Sequence, residues 1–313
     1  MKTYLMTRVN SGEKYSIELS TDQLNINSSR GSSAFHYHCE NNKINVEVAR
    51  DLLTKEAQEV ALEFLFGTDS AVTEITINNH EKIARENFFE QDGIWNAPTK
   101  NMGSPEKIVT TGTVSHPMRP EFHAGQVLYR RFVENINSSL EYRVIDINKD
   151  LDTFHNWHNQ PRVADFWELA KSKEELKDYI EKGLKDPHQI PVMVEINGIP
   201  AAYFEIYWTK EDRLGPYYDS ENYDRGFHLL VGNPDSLGFK NTDAILKCAT
   251  HFIFLDDSRT MRIMGEPRHD NEKILKYILT FKSWRKIKEF DFPHKRAALL
   301  ECDRKLFFQG HYL

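Results

Sequence analysis

Apolar and polar residues alternate with a period of two at Tyr4–Val9, Tyr15–Leu19 and Ile44–Val48, which predicts strands. The period then lengthens. Between Ala49 and Phe66, the residues Ala49, Leu52, Leu53, Val60, Ala61 and Phe64 fall on one helical face, and Gly67 stands where a C′ glycine would end the helix. Alternation returns at Val72–Ile77 and stops at Asn78-Asn79. Together these predict a small α/β unit over residues 1–90. From Phe89 to Ala124 periodicity fades into Pro, Gly, Asn and Thr, as in NAPTKNMGSPEK and SHPMRPEFHAG, so residues 91–138 are expected to form a surface linker in which Leu128–Val133 resumes regular structure.

A second domain, residues 139–313, is denser in signals. A strand at Tyr142–Ile147 precedes a helix around Leu151–Asn159, which Pro161 must interrupt. Ser172 and Glu175 make a capping box for a helix that buries Leu176, Tyr179, Ile180 and Leu184. Asn197-Gly198, between two apolar runs, predicts a tight hairpin whose second strand ends on Glu205, Tyr207 and Trp208. The next strand, Phe227–Val231, holds one imidazole, His228, in an apolar run. A loop with Gly238 and a helix, Thr242–Phe254, follow. The remaining expectations are a strand at Met261–Gly265, a helix at Asn271–Leu279 capped by Asp270, and strands at Arg285–Phe290 and Ala297–Glu301.

Composition narrows the function. A chain of 313 residues accommodates two ordinary domains, and 40% hydrophobic residues fit a folded soluble protein. A net charge of −7 without a basic arm argues against nucleic acid as the main partner. Cys39, Cys248 and Cys302 are odd in number and unpatterned, which favours a reducing compartment. With no signal-like start and no run of 18 apolar residues, a cytoplasmic protein without membrane contact is expected.

Several residues invite chemistry. The strand, Gly238 loop and helix start can hold a diphosphate on backbone N–H groups and the helix dipole, although Gly238 can equally serve only to turn the chain. His36, His38 and Cys39 in FHYHC, and His155 with His158, have spacings that admit a metal; surface strand residues are the simpler reading of the first group, and no metal is expected. In HNWHNQPRVADFWE, the residues Trp157, Phe166 and Trp167 either line a ligand site or fill the core.

The order of elements is that of the GNAT acyltransferase fold, and the motifs are more specific. YFEIYWTKEDRLGPYYDSENYDRGFHLLVG, EPRHDN and IKEFDFPHKR closely resemble the aerobactin-type siderophore acyltransferases, which acetylate N6-hydroxylysine. HNWHNQPRVADFWE is similar to the family pattern WMNxPRVxxFW, with His158 replacing the methionine. The resemblance is strong from Glu141 to Phe308, weaker through HPMRPEFHAGQVLYRRF, and nearly absent over residues 1–90. It implies an α/β (α+β) GNAT domain in the C-terminal half, acetyl-CoA as donor, and an N-hydroxylated amine as acceptor. The implied acceptor is N6-hydroxylysine, N-hydroxyputrescine or N-hydroxycadaverine, and the implied product a hydroxamate for iron chelation. An amine N-hydroxylase and a siderophore synthetase would then act before and after it.

The resemblance also places residues. The family's essential histidine falls on His228, and the acidic partner of the related mycobactin-type enzymes, an Asp there, falls on Glu266, where aerobactin-type sequences also carry Glu. His228, with an ordinary pKa near 6.5, would take the proton from nitrogen or orient the hydroxyl. The thioester carbonyl is expected to meet a backbone N–H near Leu230 or Val231. Gly238, Lys240 and Asn271 are expected at the CoA. From the residues themselves, Trp167 is expected at the acceptor, Glu205 and Tyr207 either select the acceptor's ammonium or pack as ordinary strand partners, and Arg225, in an ion pair with Asp224, would order the approach to His228. Lys295 and Arg296 are either a solvated turn or contacts for CoA phosphates or an acceptor carboxylate. The sequence departs from the family where the phosphate loop NPDSLGFKN keeps only Gly238, and where LTFKSW lacks a glycine and has one residue inserted near Phe281–Trp284. A non-catalytic acyl-CoA-binding assembly module and a GNAT enzyme for ordinary amines are the competing readings. The N-terminal unit permits a degenerate GNAT-like half serving as scaffold or homodimer surface.

Overall fold

The structure, a computed structural model, describes residues 2–48, 54–97 and 106–313. Ala49, Leu52, Leu53 and part of NAPTKNMGSPEK lie outside the described residues.

The N-terminal sheet has seven strands in sequence order: β1 (Lys2–Thr7), β2 (Lys14–Leu19), β3 (Gln23–Ser28), β4 (Gly31–Glu40), β5 (Lys43–Val48), β6 (Glu74–Ile77) and β7 (Glu81–Ala84). Helix α1 (Lys55–Thr68) crosses over between β5 and β6, which pair in parallel. Thr54 caps α1, and its side chain accepts from the Ala57 N–H at 3.2 Å. Gly67 does not end this helix. It sits within the last turn, where the Glu134 carboxylate leaves no room for a Cβ. The small residue suits a neighbour, not the backbone, and a larger one would make the Glu134 side chain move. Strand β4 carries His36, His38 and Cys39 exposed.

After α2 (Arg85–Phe89) and a hairpin, β8 (Ile108–Thr111) with β9 (Val114–Pro117), comes an eight-stranded sheet. It contains β10 (Val127–Val133), β11 (Ser138–Val144), β12 (Gln189–Ile196), β13 (Ile199–Trp208), β14 (Arg225–Val231), β15 (Arg262–Gly265), β16 (Trp284–Asp291) and β17 (Arg296–Asp303). Their order is β10-β11-β12-β13-β14-β15-β17-β16. This sheet therefore begins at Val127, inside the segment expected to be linker, because Leu128, Tyr129 and Phe132 are buried against the core. Asn197 and Gly198 form the expected two-residue turn, with φ of 51° and 81°.

Helices α3 (Ile147–His158), α4 (Pro161–Trp167) and α5 (Lys173–Lys185) cover one face. Pro161 ends nothing beyond α3. It opens α4 as its first helical residue, where its missing N–H costs no bond. The capping box at Ser172 and Glu175 is formed. Helix α6 (Phe239–Asp256) packs on the opposite face, and α7 (Glu272–Ile278) and α8 (Arg304–Gln309) follow. Asn271, not Asp270, caps α7, because Asp270 is paired with Arg268 at 2.8 Å. One apolar core runs through both sheets and joins Phe64, Phe66, Phe89 and Trp95 to Tyr129, Tyr142 and Phe252. At its centre, buried His251 lies 2.9 Å from the Tyr129 hydroxyl and 2.7 Å from the Phe89 carbonyl. Among the described residues, no helix is long and apolar enough to cross a membrane.

Candidate active site

Strands β13 and β14 set the site by register. Glu205 stands opposite His228, Tyr203 opposite Leu230 and Tyr207 opposite Gly226. Strand alternation puts these side chains on the face covered by α3 and α5, where Tyr203 and Leu230 pack with Phe154, Leu176 and Ile180. Gly226 is required there, because the Tyr207 ring occupies the space of a Cβ. Glu266 arrives from the next strand, immediately after β15.

His228 is clamped. Its Nδ1 lies 3.0 Å from Glu205 Oε2 and its Nε2 2.9 Å from Glu266 Oε1. Burial alone would favour the neutral ring, but the Glu266 and Glu205 carboxylates outweigh it and push the pKa up to about 10. Burial should likewise raise Glu266, yet the charges of His228 and Lys295 and hydrogen bonds from His228 and Tyr207 hold it down at about 2. The Tyr207 hydroxyl donates to Glu266 Oε2 at 2.7 Å, and Lys295 Nζ donates to the Glu266 backbone carbonyl at 2.7 Å. Glu205 is 6% exposed and also stays below the usual carboxylate range: burial opposes this, but hydrogen bonds from His228, Tyr179 and Tyr203 win. The resting site is an imidazolium between two carboxylates. Both ring nitrogens donate, so neither is a free base.

Beside this clamp the sheet opens. Strands β14 and β15 pair only at Arg225 with Ile263 and Gly226 with Met264, and then part. The Thr209 N–H donates to the Asp224 carbonyl and the Gly232 N–H to the Ala201 carbonyl. Antiparallel alternation therefore turns the backbone of Gly226, His228 and Leu230 toward β13, and that of Phe227, Leu229 and Val231 toward the gap. Of the two positions expected to offer an N–H, Val231 faces the gap, whereas the Leu230 N–H is directed at Tyr203 in β13. Arg162 of α4 reaches over this end and donates to the Val231 carbonyl at 2.8 Å.

The loop after β14 leads to Gly238, with φ of 124°, at the N-cap of α6. No side chain caps that end, and Gly238 and Lys240 are exposed there, so the first N–H groups of the helix are open to an anion. Asn271 is elsewhere engaged: its side chain accepts from the Ile274 N–H at 3.3 Å.

Other expected residues fall into place differently. Trp167 lies edge-on to His228, ring centres 6.4 Å apart, and Trp157 is core, while Phe166 is exposed. Asp224 and Arg225 do not pair with each other. Arg225 projects from the face opposite His228, is wholly buried, bonds Asp256 at 2.8 Å and lies 3.9 Å over Trp208. Asp224 takes Arg262 at 2.7 Å. The one-residue offset from Gly226 decides this, since neighbouring strand residues point to opposite faces. His158 is buried, with Nδ1 2.9 Å from the Phe154 carbonyl.

The structure adds three residues that the sequence reading passed over. Tyr179, read as helix core, bonds Glu205 at 2.5 Å. Arg162 closes the gap end. Arg213, in the loop after β13, places Nη2 3.5 Å from His228 Nε2 and 3.9 Å from Glu266 Oε1. Arg213 lies inside the motif that carries the resemblance, but nothing in its own residue pattern marked it for a role. Arg119 secures the same loop by gripping Glu211 with Nε and Nη2 at 2.6 and 2.7 Å and the Asn222 carbonyl at 2.9 Å.

Comparison with known proteins accords with this geometry. Residues 146–292 match the acetyltransferase (GNAT) domain family. A protein of Schizosaccharomyces pombe named for lysine N-acyl transfer is 37% identical over 74% of this chain and 69% of its own length. The N(6)-hydroxylysine O-acetyltransferase of Escherichia coli is 37% identical over 72% of this chain and 71% of its own. An N(5)-hydroxyornithine:cis-anhydromevalonyl coenzyme A transacylase of Beauveria bassiana is 41% identical over 62% of this chain, but the match spans only 43% of that longer protein. With the GNAT domain, its C-terminal sheet and these relatives in view, the chain belongs to the siderophore N-hydroxyamine acyltransferases of the GNAT superfamily.

Proposed function

We propose that the chain transfers an acetyl group from acetyl-CoA to the nitrogen of an N-hydroxylated aliphatic amine, N6-hydroxylysine or an N-hydroxydiamine, giving a hydroxamate and free CoA. The observation that carries this reading is the imidazolium of His228 held between Glu205 and Glu266 at the mouth of the β14–β15 gap. An alkylamine is protonated at pH 7 and needs a base before it attacks. A hydroxylamine is mostly neutral, so a site poised as a donor suits it better.

His228 Nε2–H donates to the acceptor's hydroxyl oxygen, which takes the place of Glu266 at that nitrogen, and so aims the amine nitrogen at the thioester carbon. The Val231 N–H receives the carbonyl oxygen as the N–C bond forms and negative charge gathers there. Glu266, released from His228, accepts the N–H proton of the attacking nitrogen. As the carbonyl reforms, the C–S bond breaks and the sulfur leaves as thiolate, which takes up a proton to give CoA thiol. Glu205 keeps the ring oriented through Nδ1. The open α6 terminus at Gly238, with Lys240, is the place for the donor's phosphates. The acceptor must come from an amine N-hydroxylase, and the hydroxamate suits a siderophore synthetase.

The test is thiol release from acetyl-CoA with N6-hydroxylysine, N-hydroxyputrescine, N-hydroxycadaverine and their non-hydroxylated parents, with products stained by ferric iron to separate hydroxamate from O-acetyl ester. Turnover should be confined to hydroxylated acceptors, yield hydroxamate, and fall about a hundredfold or more in His228→Ala. Equal turnover of the parent amines, or a His228→Ala variant with full activity, would sink the proposal.

A further inference from the structure

Arg213 is a cation at this mouth whose nearest carboxylate already serves other groups. Arg119 is paired with Glu211, Arg225 with Asp256, Arg262 with Asp224 and Arg268 with Asp270, and Arg162 is held by the Val231 carbonyl. Arg213 is half exposed, its nearest acidic oxygen is Glu266 at 3.9 Å, and Glu266 already serves His228 and Tyr207. Its approach to His228 Nε2 at 3.5 Å sets one donor against another when the ring is protonated, so that contact satisfies neither group. Lys295 Nζ stands 4.0 Å from the same Glu266 oxygen. Arg213 and Lys295 thus share with His228 one carboxylate, Glu266, whose two oxygens are already hydrogen-bonded. Phe292 brings the two cations together: Arg213 and Lys295 lie 5.7 and 5.6 Å from its ring centre, and the His294 ring stacks on it at 5.5 Å.

A half-exposed arginine with unspent planar donors beside a reaction centre is suited to an anion on the ligand. We propose that Arg213, supported by Lys295, reads a carboxylate on the acceptor, and so selects an N-hydroxylated amino acid over an N-hydroxydiamine. The inference rests on the acyl-transfer reading above. Both acceptor types also carry an ammonium group. Exposed Glu168, which follows Trp167 and acts electrostatically on His294 and Arg268, stands on the same mouth and can serve that shared group without discriminating.

N6-hydroxylysine and N-hydroxycadaverine form the decisive pair, because they differ only by the carboxylate. The quantity to measure is the ratio of their kcat/KM values in the wild type, Arg213→Gln and Arg213→Lys, with KM and kcat resolved for each. The wild type should prefer N6-hydroxylysine, and Arg213→Gln should shrink that ratio about ten- to hundredfold, the range for losing a charged hydrogen bond, mainly through KM. Arg213→Lys should recover part of it. Misfolding lowers both numerators and leaves the ratio alone, so a variant that is merely unstable does not mimic this result. An unchanged ratio in Arg213→Gln, or a wild type indifferent to the carboxylate, overturns the inference while the acyl-transfer reading stands. Absence of turnover with every hydroxylated acceptor overturns both.

Discussion

Glu205 and Glu266 impose on His228 a protonation state that its place in an apolar strand would not suggest. The folded-state pKa of His228 is raised to about 10 from an ordinary 6.5, so its contribution to stability is complete below pH 6.5 and is lost as pH rises through about 10. Glu266 is depressed to about 2 from 4.5, so its contribution is present above pH 4.5 and is lost as pH falls toward 2. Replacing Glu266 with Gln removes the larger attraction, and a ring-proton NMR titration should then show the His228 pKa falling by at least a unit. A titration unmoved by the substitution would mean that Glu266 does not hold the imidazolium. His228 and Glu266 were legible in the sequence because each sits in a long motif. The part of Glu205 as the second jaw was not, since it depends on the register between β13 and β14. The choice between Leu230 and Val231 needed an anchor for strand alternation that only the folded ladder supplies.

Elements with strong local chemistry were read well, and those made by tertiary context were not. The Asn197-Gly198 hairpin and the capped α5 match their signals because turn and cap residues act on their own backbone. Strand β3 was passed over because QLNINS offers only Leu24 and Ile26 to a pattern search, although both are fully buried. The α6 terminus gives a prediction at this scale. Gly238→Val would place a branched side chain at φ of 124°, a conformation costing on the order of 1–3 kcal/mol for such a residue, and would disturb the N–H groups offered to the donor. KM for acetyl-CoA should rise about tenfold or more while the acceptor KM changes little. Calorimetric CoA affinity equal to wild type would remove the loop from donor binding.

Both sheets share one core, so the chain should unfold as one unit despite its two-part sequence. Phe89 and Trp95 stack face to face at 5.3 Å and lie against His251, whose helix belongs to the other sheet, and Arg304 of α8 reaches Glu90 at 3.2 Å. A single calorimetric transition is expected, with calorimetric and van't Hoff enthalpies in agreement; two resolved transitions would refute this. The unity was hidden in the sequence, because the Pro- and Gly-rich stretch between the halves reads as a tether and contacts across it leave no periodic trace. The parting of β14 and β15 has a kinetic consequence. On the proposed reading, a donor lodged in the plane of the sheet and an acceptor reaching His228 from the face beneath Trp167 would use separate entrances. Cys248 and Cys302 are buried, and Cys39 lies on the other sheet, so no thiol stands ready to carry the acyl group between them. On that reading both substrates are aboard before either product forms, and initial-rate plots at several fixed acceptor concentrations should intersect instead of running parallel.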